Sequence, residues 1–291
     1  MTTVPVLDWG CIAIRSGFMD IANRLRFVRS ALYVPASNAR ALEKARALDA
    51  DMIIIDLEDS VAEQSKSAAR EAAIAYVAAG VAGKLLAIRV NAADSPHYLE
   101  DMAALEQCRT DLIVLPKVED VAGINGLMLP ILAMIETPKG LYAASEIAAH
   151  SGVAGLIAGT NDIAAETGIR PGPHRQGLEL SLQMIVLAAS FAGKPRFDGV
   201  CNRLDDMDGF DVECRQGVTF GFTGKTLINP NQIGIANAAF GPDSAEIAEA
   251  EQLIAASQGG AQRFKGRMIE SMHVEEAKLT IERSRHAMGG R

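Results

Sequence analysis

From Phe27 onward, short apolar runs alternate along the chain with Ala-rich amphipathic segments. Eight runs stand out: Arg29–Pro35, Met52–Leu57, Leu85–Val90, Leu112–Pro116, Ile131–Ile135, Val153–Ala158, Phe197–Val200 and Thr226–Ile228. Their hydrophobicity is continuous rather than alternating, which marks strands covered on both faces, as in all-parallel sheets. Between them Ala39–Leu48, Lys66–Ala79, Tyr98–Cys108 and Gly177–Ala192 read as helices. Repeated β/α units across residues 27–240 predict an α/β fold of the (β/α)8 TIM-barrel type, usually about 250 residues long. The competing architecture is an open doubly wound sheet. That fold usually carries a Gly-rich phosphate loop after its first strand, whereas "YVPASNAR" stands there in this chain.

Two segments lie outside the repeat. Residues 1–26 place Asp8, Arg15 and Asp20 among apolar positions and lack the h-region and cleavage site of a secretory signal. They read as an extension to the barrel, with Met19 as an alternative start. After Phe240, "GPDSAEIAEAEQLIAAS" reads as a turn and a helix, "RFKGRMIE" as strand–turn–strand, and His273–Arg285 as a charged helix. The 241–291 segment is too small to fold alone. It is expected to form a small C-terminal helical/β-turn lid extension on its own barrel or a neighbour's.

The 291 residues are 49% hydrophobic and 22% charged, with a formal net charge of −8. That balance suits a globular enzyme with a large core and argues against nucleic-acid binding, which needs a basic surface. Cys11, Cys108, Cys201 and Cys214 are widely and irregularly spaced, so neither a zinc site nor a disulfide framework is suggested. A reducing cytoplasm fits that usage. No apolar run reaches the roughly 18 residues that a membrane span requires.

Strand ends carry the candidate chemistry, because the carboxyl ends of barrel strands share the rim where ligands bind. Strand two ends in "IIIDLEDS", with Asp56, Glu58 and Asp59; strand three brings Arg89 and Asn91, and strand four Lys117 and Glu119. Glu136 closes strand five in "ILAMIETP", Asp162 follows strand six in "GLIAGTNDIA", and strand seven carries Asp198. Glu136 and Asp162 on neighbouring strands make a hard-cation site, since Mg²⁺ takes one or two protein carboxylates and keeps its other positions for water or substrate oxygens. Other readings stand beside these. Asp59 and Asp162 are also suited to cap helices. Glu58 and Arg89 are placed to form an ion pair across adjacent strands, which would hold Arg89 ready for a substrate carboxylate. Lys117 is a candidate Schiff-base lysine, although a lysine among carboxylates keeps its proton.

Nine segments in order, "RSALYVPASNARALEKA", "DMIIIDLEDSVA", "AIRVNA", "VLPKVE", "MIETPKG", "GTNDIA", "FDGV", "GFTGKTLINPNQI" and "FKGRMIE", resemble the citrate lyase β-subunit-like group of the HpcH/HpaI aldolase superfamily. The resemblance runs from Phe27 to Arg285. It implies a barrel enzyme, of the malyl-CoA or citramalyl-CoA lyase type, that makes or breaks a carbon–carbon bond between a thioester and a 2-oxo acid. It also implies Mg²⁺ on Glu136 and Asp162, with Arg89 and Glu136 facing the substrate and Arg89 gripping the oxo-acid carboxylate. Glu270 stands at the tail position where the family places a catalytic aspartate lent by a neighbouring subunit, which implies a homotrimer or homohexamer. Arg89, Glu58 and Glu270 are therefore the expected catalytic groups. Arg29, Arg40 and Lys44 are the expected phosphate partners of coenzyme A, although Arg40 and Lys44 also read as the solvated face of the first helix. Departures are Glu270 in place of aspartate, Asn229 where many members have histidine, read as a change of loop hydrogen bonding, and Ala36 where glycine is usual. The other functions considered are a citrate lyase β subunit working in a complex, a CoA-independent class II pyruvate aldolase, and a thioesterase on the same site.

Overall fold

The computed structural model describes residues 18–106, 108–170, 172 and 174–289. Helix α1 (residues 18–25) leads into β1 (Ser30–Pro35), α2 (Ala39–Ala45), β2 (Met52–Asp56), α3 (Lys66–Ala79), β3 (Leu85–Arg89) and α4 (Tyr98–Leu105). Then come β4 (Leu112–Leu115), β5 (Ile131–Ile135), α5 (Pro138–Ala149), β6 (Val153–Ala158), α6 (Thr160–Thr167), α7 (Glu179–Phe191) and β7 (Arg196–Asp198). The barrel closes with α8 (Met207–Phe220), β8 (Gly224–Leu227) and α9 (Ile233–Phe240). All eight strands are parallel, each pairs with its sequence neighbours, and β8 returns to β1. The expected TIM barrel is therefore the observed fold, and every predicted strand appears within a residue or two of its expected bounds.

Period-two alternation divides β1 to β5 between two cores. Met52 and Ile54, Leu85 and Ala87, Leu112 and Val114, and Leu132 and Met134 fill the barrel interior. Their neighbours Ile53, Ile55, Leu86, Ile88, Ile113, Ala133 and Ile135 face the surrounding helices. Both sets are apolar, which is why the runs read as continuous. Ile21 and Leu25 of α1 join the interior set and close the amino-terminal end of the barrel. The second half of the extension thus belongs to the barrel's packing, while residues 1–17 fall outside the described part.

The tail contains α10 (Ser244–Ala256), the antiparallel hairpin β9 (Gln262–Phe264) and β10 (Arg267–Ile269), and α11 (Ser271–Gly289). Asp243 and Glu246 cap α10 reciprocally. Ala250, Leu253, Ile269 and Ala277 form a small separate core. The far end of α11 returns to the amino-terminal end of the barrel, where His286 stacks on Phe27 with ring centroids 3.8 Å apart. The tail therefore sits at the end opposite the barrel mouth, and within one chain it is not a lid over its own site. Cys108, Cys201 and Cys214 are free thiols. Among the described residues no helix is long and apolar enough to cross a membrane.

Candidate active site

Alternation also decides which side chains reach the mouth. Continuing the inward series of β2, β3 and β5 by one step brings Asp56, Arg89 and Glu136 above the apolar interior. Tyr33 and Thr226 reach the same level from β1 and β8, and together these residues line a cavity of about 340 Å³. Ligand sites commonly begin at that size.

Asp56 and Arg89 are direct partners in the β2–β3 register. Their charges meet side by side: Arg89 Nε and Nη2 donate to Asp56 Oδ1 and Oδ2 at 2.6 and 2.7 Å. Nη1 lies 3.1 Å from Glu58 Oε2, and the guanidinium carbon sits 4.7 Å from the centroid of the Tyr33 ring. An arginine anchored on one fork keeps N–H donors for a second carboxylate in the cavity. The pair expected between Glu58 and Arg89 is present, but the bidentate partner is Asp56. Glu58 does not line the cavity and reaches it only through its contact with Arg89. Burial would raise the Asp56 carboxyl, but Arg89, the Ser60 hydroxyl and the Glu58 amide hold it below its ordinary value. Glu58 goes the other way: burial pushes its carboxyl up to about 8 despite Arg89.

Glu136 is 5% exposed. Its Oε1 accepts a hydrogen bond from the Lys117 amide at 2.6 Å. Lys117 holds that geometry in the left-handed region, at φ 49°, which costs a non-glycine residue energy and concentrates at functional positions. On the other side Gly159 closes against the carboxylate, where an added Cβ would stand 2.5 Å from Oε2. Burial, with repulsion from the half-buried Asp162 added, pushes the Glu136 carboxyl up to about 7 despite the Lys117 amide and the Arg89 charge. Two crowded carboxylates at one mouth, one buried with an oxygen turned to the cavity, fit a hard divalent cation that would relieve both the burial and the repulsion. Asp162 lies in the first turn of α6, whose cap is Gly159, and Asp59 caps no helix. The Lys117 ammonium works against burial, but Glu58, Asp162 and Glu136 raise its pKa, which disfavours the neutral amine of a Schiff-base lysine.

Comparison with known proteins matches residues 29–230 to the HpcH/HpaI aldolase/citrate lyase family. The chain belongs to that family. A (3S)-malyl-CoA thioesterase of Cereibacter sphaeroides is 40% identical over 273 residues, covering 90% of this chain and 96% of the relative. A citrate lyase subunit beta-like protein of Mycobacterium tuberculosis is 31% identical over 264 residues, covering 88% and 95%. The crystal structure of CitE from M. tuberculosis in complex with magnesium, acetoacetate and coenzyme A superposes with a TM-score of 0.76 at 30% identity. It covers 88% of this chain and 97% of that one.

Other expected residues fall elsewhere. Arg29 precedes β1 at the amino-terminal end of the barrel, and its Nη2 pairs with Asp51 Oδ1 at 2.7 Å. That ion pair lies a strand's length from the mouth of its own barrel, so within one chain Arg29 does not reach the cavity. Arg40 and Lys44 are exposed on α2, just beyond the β1 rim, and neither has an ion-pair partner among the described residues. Glu270 is exposed in the tail, where its N–H donates to His273 Nδ1 at 2.9 Å. Among the described residues, none beyond Ile228 lines the mouth cavity. Asp198 points outward from β7 into a buried cluster: Lys225 Nζ donates to its Oδ2 at 2.8 Å and Arg175 Nη1 to its Oδ1 at 2.8 Å. Asn229 accepts from the Asn231 amide within its own loop and donates to the Leu204 carbonyl of the β7–α8 connection. Sequence reasoning missed Gly159, although the glycine preceding "TND" was its visible signal.

Proposed function

We propose that this protein is a divalent-metal-dependent carbon–carbon lyase acting on a 3-hydroxyacyl-CoA such as malyl-CoA or citramalyl-CoA, releasing acetyl-CoA and a 2-oxo acid. The observation that carries the reading is one cavity holding an arginine locked on Asp56 beside the Glu136–Asp162 carboxylate pair. The M. tuberculosis relative, whose structure contains magnesium, an oxo acid and coenzyme A, supports it.

Arg89 grips the substrate carboxylate with the N–H groups that Asp56 and Glu58 leave free, and those two acids keep the guanidinium from turning. A divalent cation held by Glu136 and Asp162 would stabilise negative charge on the substrate's hydroxyl or keto oxygen. The protonated Lys117 adds positive potential at the same mouth. Cleavage leaves a carbanion equivalent on the acetyl carbon that an acid must protonate. Because the tail sits at the far end of its own barrel, Glu270 would serve that role only from a neighbouring copy, in a trimer or hexamer. Arg40 and Lys44 remain candidates for the coenzyme's phosphates.

A second reading is favoured by the 40% identical relative, named a malyl-CoA thioesterase. In that case water attacks the thioester carbonyl while Arg89 and the metal hold the acid. One experiment separates them. Purified protein is incubated with malyl-CoA and citramalyl-CoA, with Mg²⁺ or with EDTA, and products are resolved by mass. Acetyl-CoA with glyoxylate or pyruvate supports the lyase; free coenzyme A with malate or citramalate supports hydrolysis. Turnover that survives EDTA, or survives Glu136→Ala, refutes the metal assignment. Cleavage of citryl thioesters only in a complex would point to a citrate lyase β subunit, and cleavage of free hydroxy acids to a CoA-independent aldolase.

A further inference from the structure

A second cavity, of about 600 Å³, adjoins the first between α6 with its following loop and the β7–α8 connection. Ala164, Ala165, Ile169 and Leu178 give it apolar walls. Thr160, Asn161, Val200 and Asn202 line both spaces. At their boundary Asn202 Nδ2 donates to Asn161 Oδ1 at 2.6 Å.

Three charged residues line this side cavity, Arg175, Arg203 and Glu213, and each is paired with a partner behind or beside the wall. Arg175 Nη1 bonds Asp198 at 2.8 Å, Lys225 Nζ bonds Asp198 at 2.8 Å and Glu213 at 3.0 Å, and Arg203 Nε bonds Asp206 at 3.0 Å. Counting the partners Asp198, Lys225 and Asp206, three cations face three carboxylates, so the cluster as a whole is neutral and its charges are already paired. Arg175 also adopts the left-handed region at φ 55°, ψ 25°. That costly conformation persists because its guanidinium is tied to Asp198, Gln216 and the Glu213 carbonyl. The wall is therefore a built one.

Barrel order supplies the direction. In a closed ring of eight strands β3 and β7 stand across the axis from each other. An acid whose carboxylate is held at Arg89, at the end of β3, points its other end toward Val200 and Asn202, just past the end of β7. We propose that the side cavity receives the substituent of the 2-oxo acid, through the Asn161–Asn202 boundary, and that it suits an uncharged alkyl chain rather than a second carboxylate. The inference rests on the lyase or thioesterase reading above. Burying a methylene favours binding by about three- to fourfold, whereas a second carboxylate would enter a cavity whose charged groups are already paired and so is penalised.

The test is isothermal titration of the protein in Mg²⁺ with glyoxylate, pyruvate, 2-oxobutanoate, 2-oxopentanoate and oxaloacetate, followed by condensation of each with acetyl-CoA. Affinity is expected to rise about threefold per added methylene from pyruvate to 2-oxopentanoate, with oxaloacetate weaker than 2-oxobutanoate. Ala165→Leu and, independently, Ile169→Phe fill the side cavity alone. Each should abolish the gain for the longer acids and leave glyoxylate unchanged. Mg²⁺-dependent glyoxylate binding with affinity flat or falling along the alkyl series overturns the proposal and leaves the functional reading standing, as does a preference for oxaloacetate. Failure of every 2-oxo acid to bind in Mg²⁺ overturns the functional reading and the proposal with it.

Discussion

Gly159→Ala tests the candidate metal site without touching a charged residue. An alanine Cβ at position 159 would lie 2.3 Å from Glu136 Cβ and 2.5 Å from Oε2, about 1 Å short of the 3.4 Å at which ordinary contact begins. The backbone there, at φ −91° and ψ 75°, does not need glycine, but Glu136 Cβ is fixed to the β5 backbone, so the end of β5 or the turn before α6 must shift and carry the carboxylate with it. Displacing a catalytic group by about 1 Å costs roughly 100-fold in rate, and overpacking costs about 1–3 kcal/mol of stability. The variant should stay folded, bind Mg²⁺ at least about tenfold more weakly, and lose about 100-fold in kcat/KM. Titration calorimetry reads the metal and a thioester cleavage assay reads the rate. Gly123→Ala is the control, because nothing lies within 4 Å of its added carbon. In a Glu136→Gln background the alanine should add almost nothing, since both changes act through one carboxylate. Wild-type metal affinity in Gly159→Ala, or an additive loss in the double variant, would refute the placement of Glu136 as a ligand.

Arg89→Lys removes the fork that spans Asp56 and the substrate carboxylate; kcat/KM should fall about 100-fold, about 2.7 kcal/mol, and a change under about threefold would count against carboxylate binding there. The pH dependence follows from Glu136, raised to about 7 in the metal-free protein from its ordinary 4.5. Its contribution to stability is present below the unfolded value and lost as pH rises through about 7, while cation binding needs the ionised form. Mg²⁺ affinity should therefore be flat above about pH 7 and fall about tenfold per unit below it, and calorimetry showing tighter binding at pH 5.5 than at 7.5 would reverse that sign. Lys225→Met leaves Asp198 and Glu213 short of a fully buried cation; a loss of about 3–5 kcal/mol should lower Tm by roughly 6–20 °C, and an unchanged melting curve would show the cluster to be dispensable.

Much of this architecture was legible before any coordinates. Apolar runs and amphipathic helices are local patterns, so strand positions, barrel class and the tail's helix–hairpin–helix order could be read directly. Glu136, Asp162 and Arg89 were visible for a related reason: charge at the end of an apolar strand has no core explanation. The tail's position was harder, because "GRMIE" is the same string whether it covers the mouth or packs beside the opposite end. The place of Arg29 was hidden in the same way, since its neighbours say nothing of the Asp51 that meets it across β1 and β2.

Residue periodicity alone was enough to specify eight buried parallel strands and to set acids and an arginine at their ends, because a strand's two faces and its terminus are encoded within about six residues. Choosing among those charges required the closed sheet. Register made Asp56, rather than Glu58, the clamp on Arg89. Strand pleat turned Asp198 outward to Lys225 and away from the rim. The approach of Gly159 to Glu136 exists only where β5 and β6 lie side by side. These are contacts between segments that are distant or merely adjacent along the chain, and their energies depend on distances that no local pattern contains.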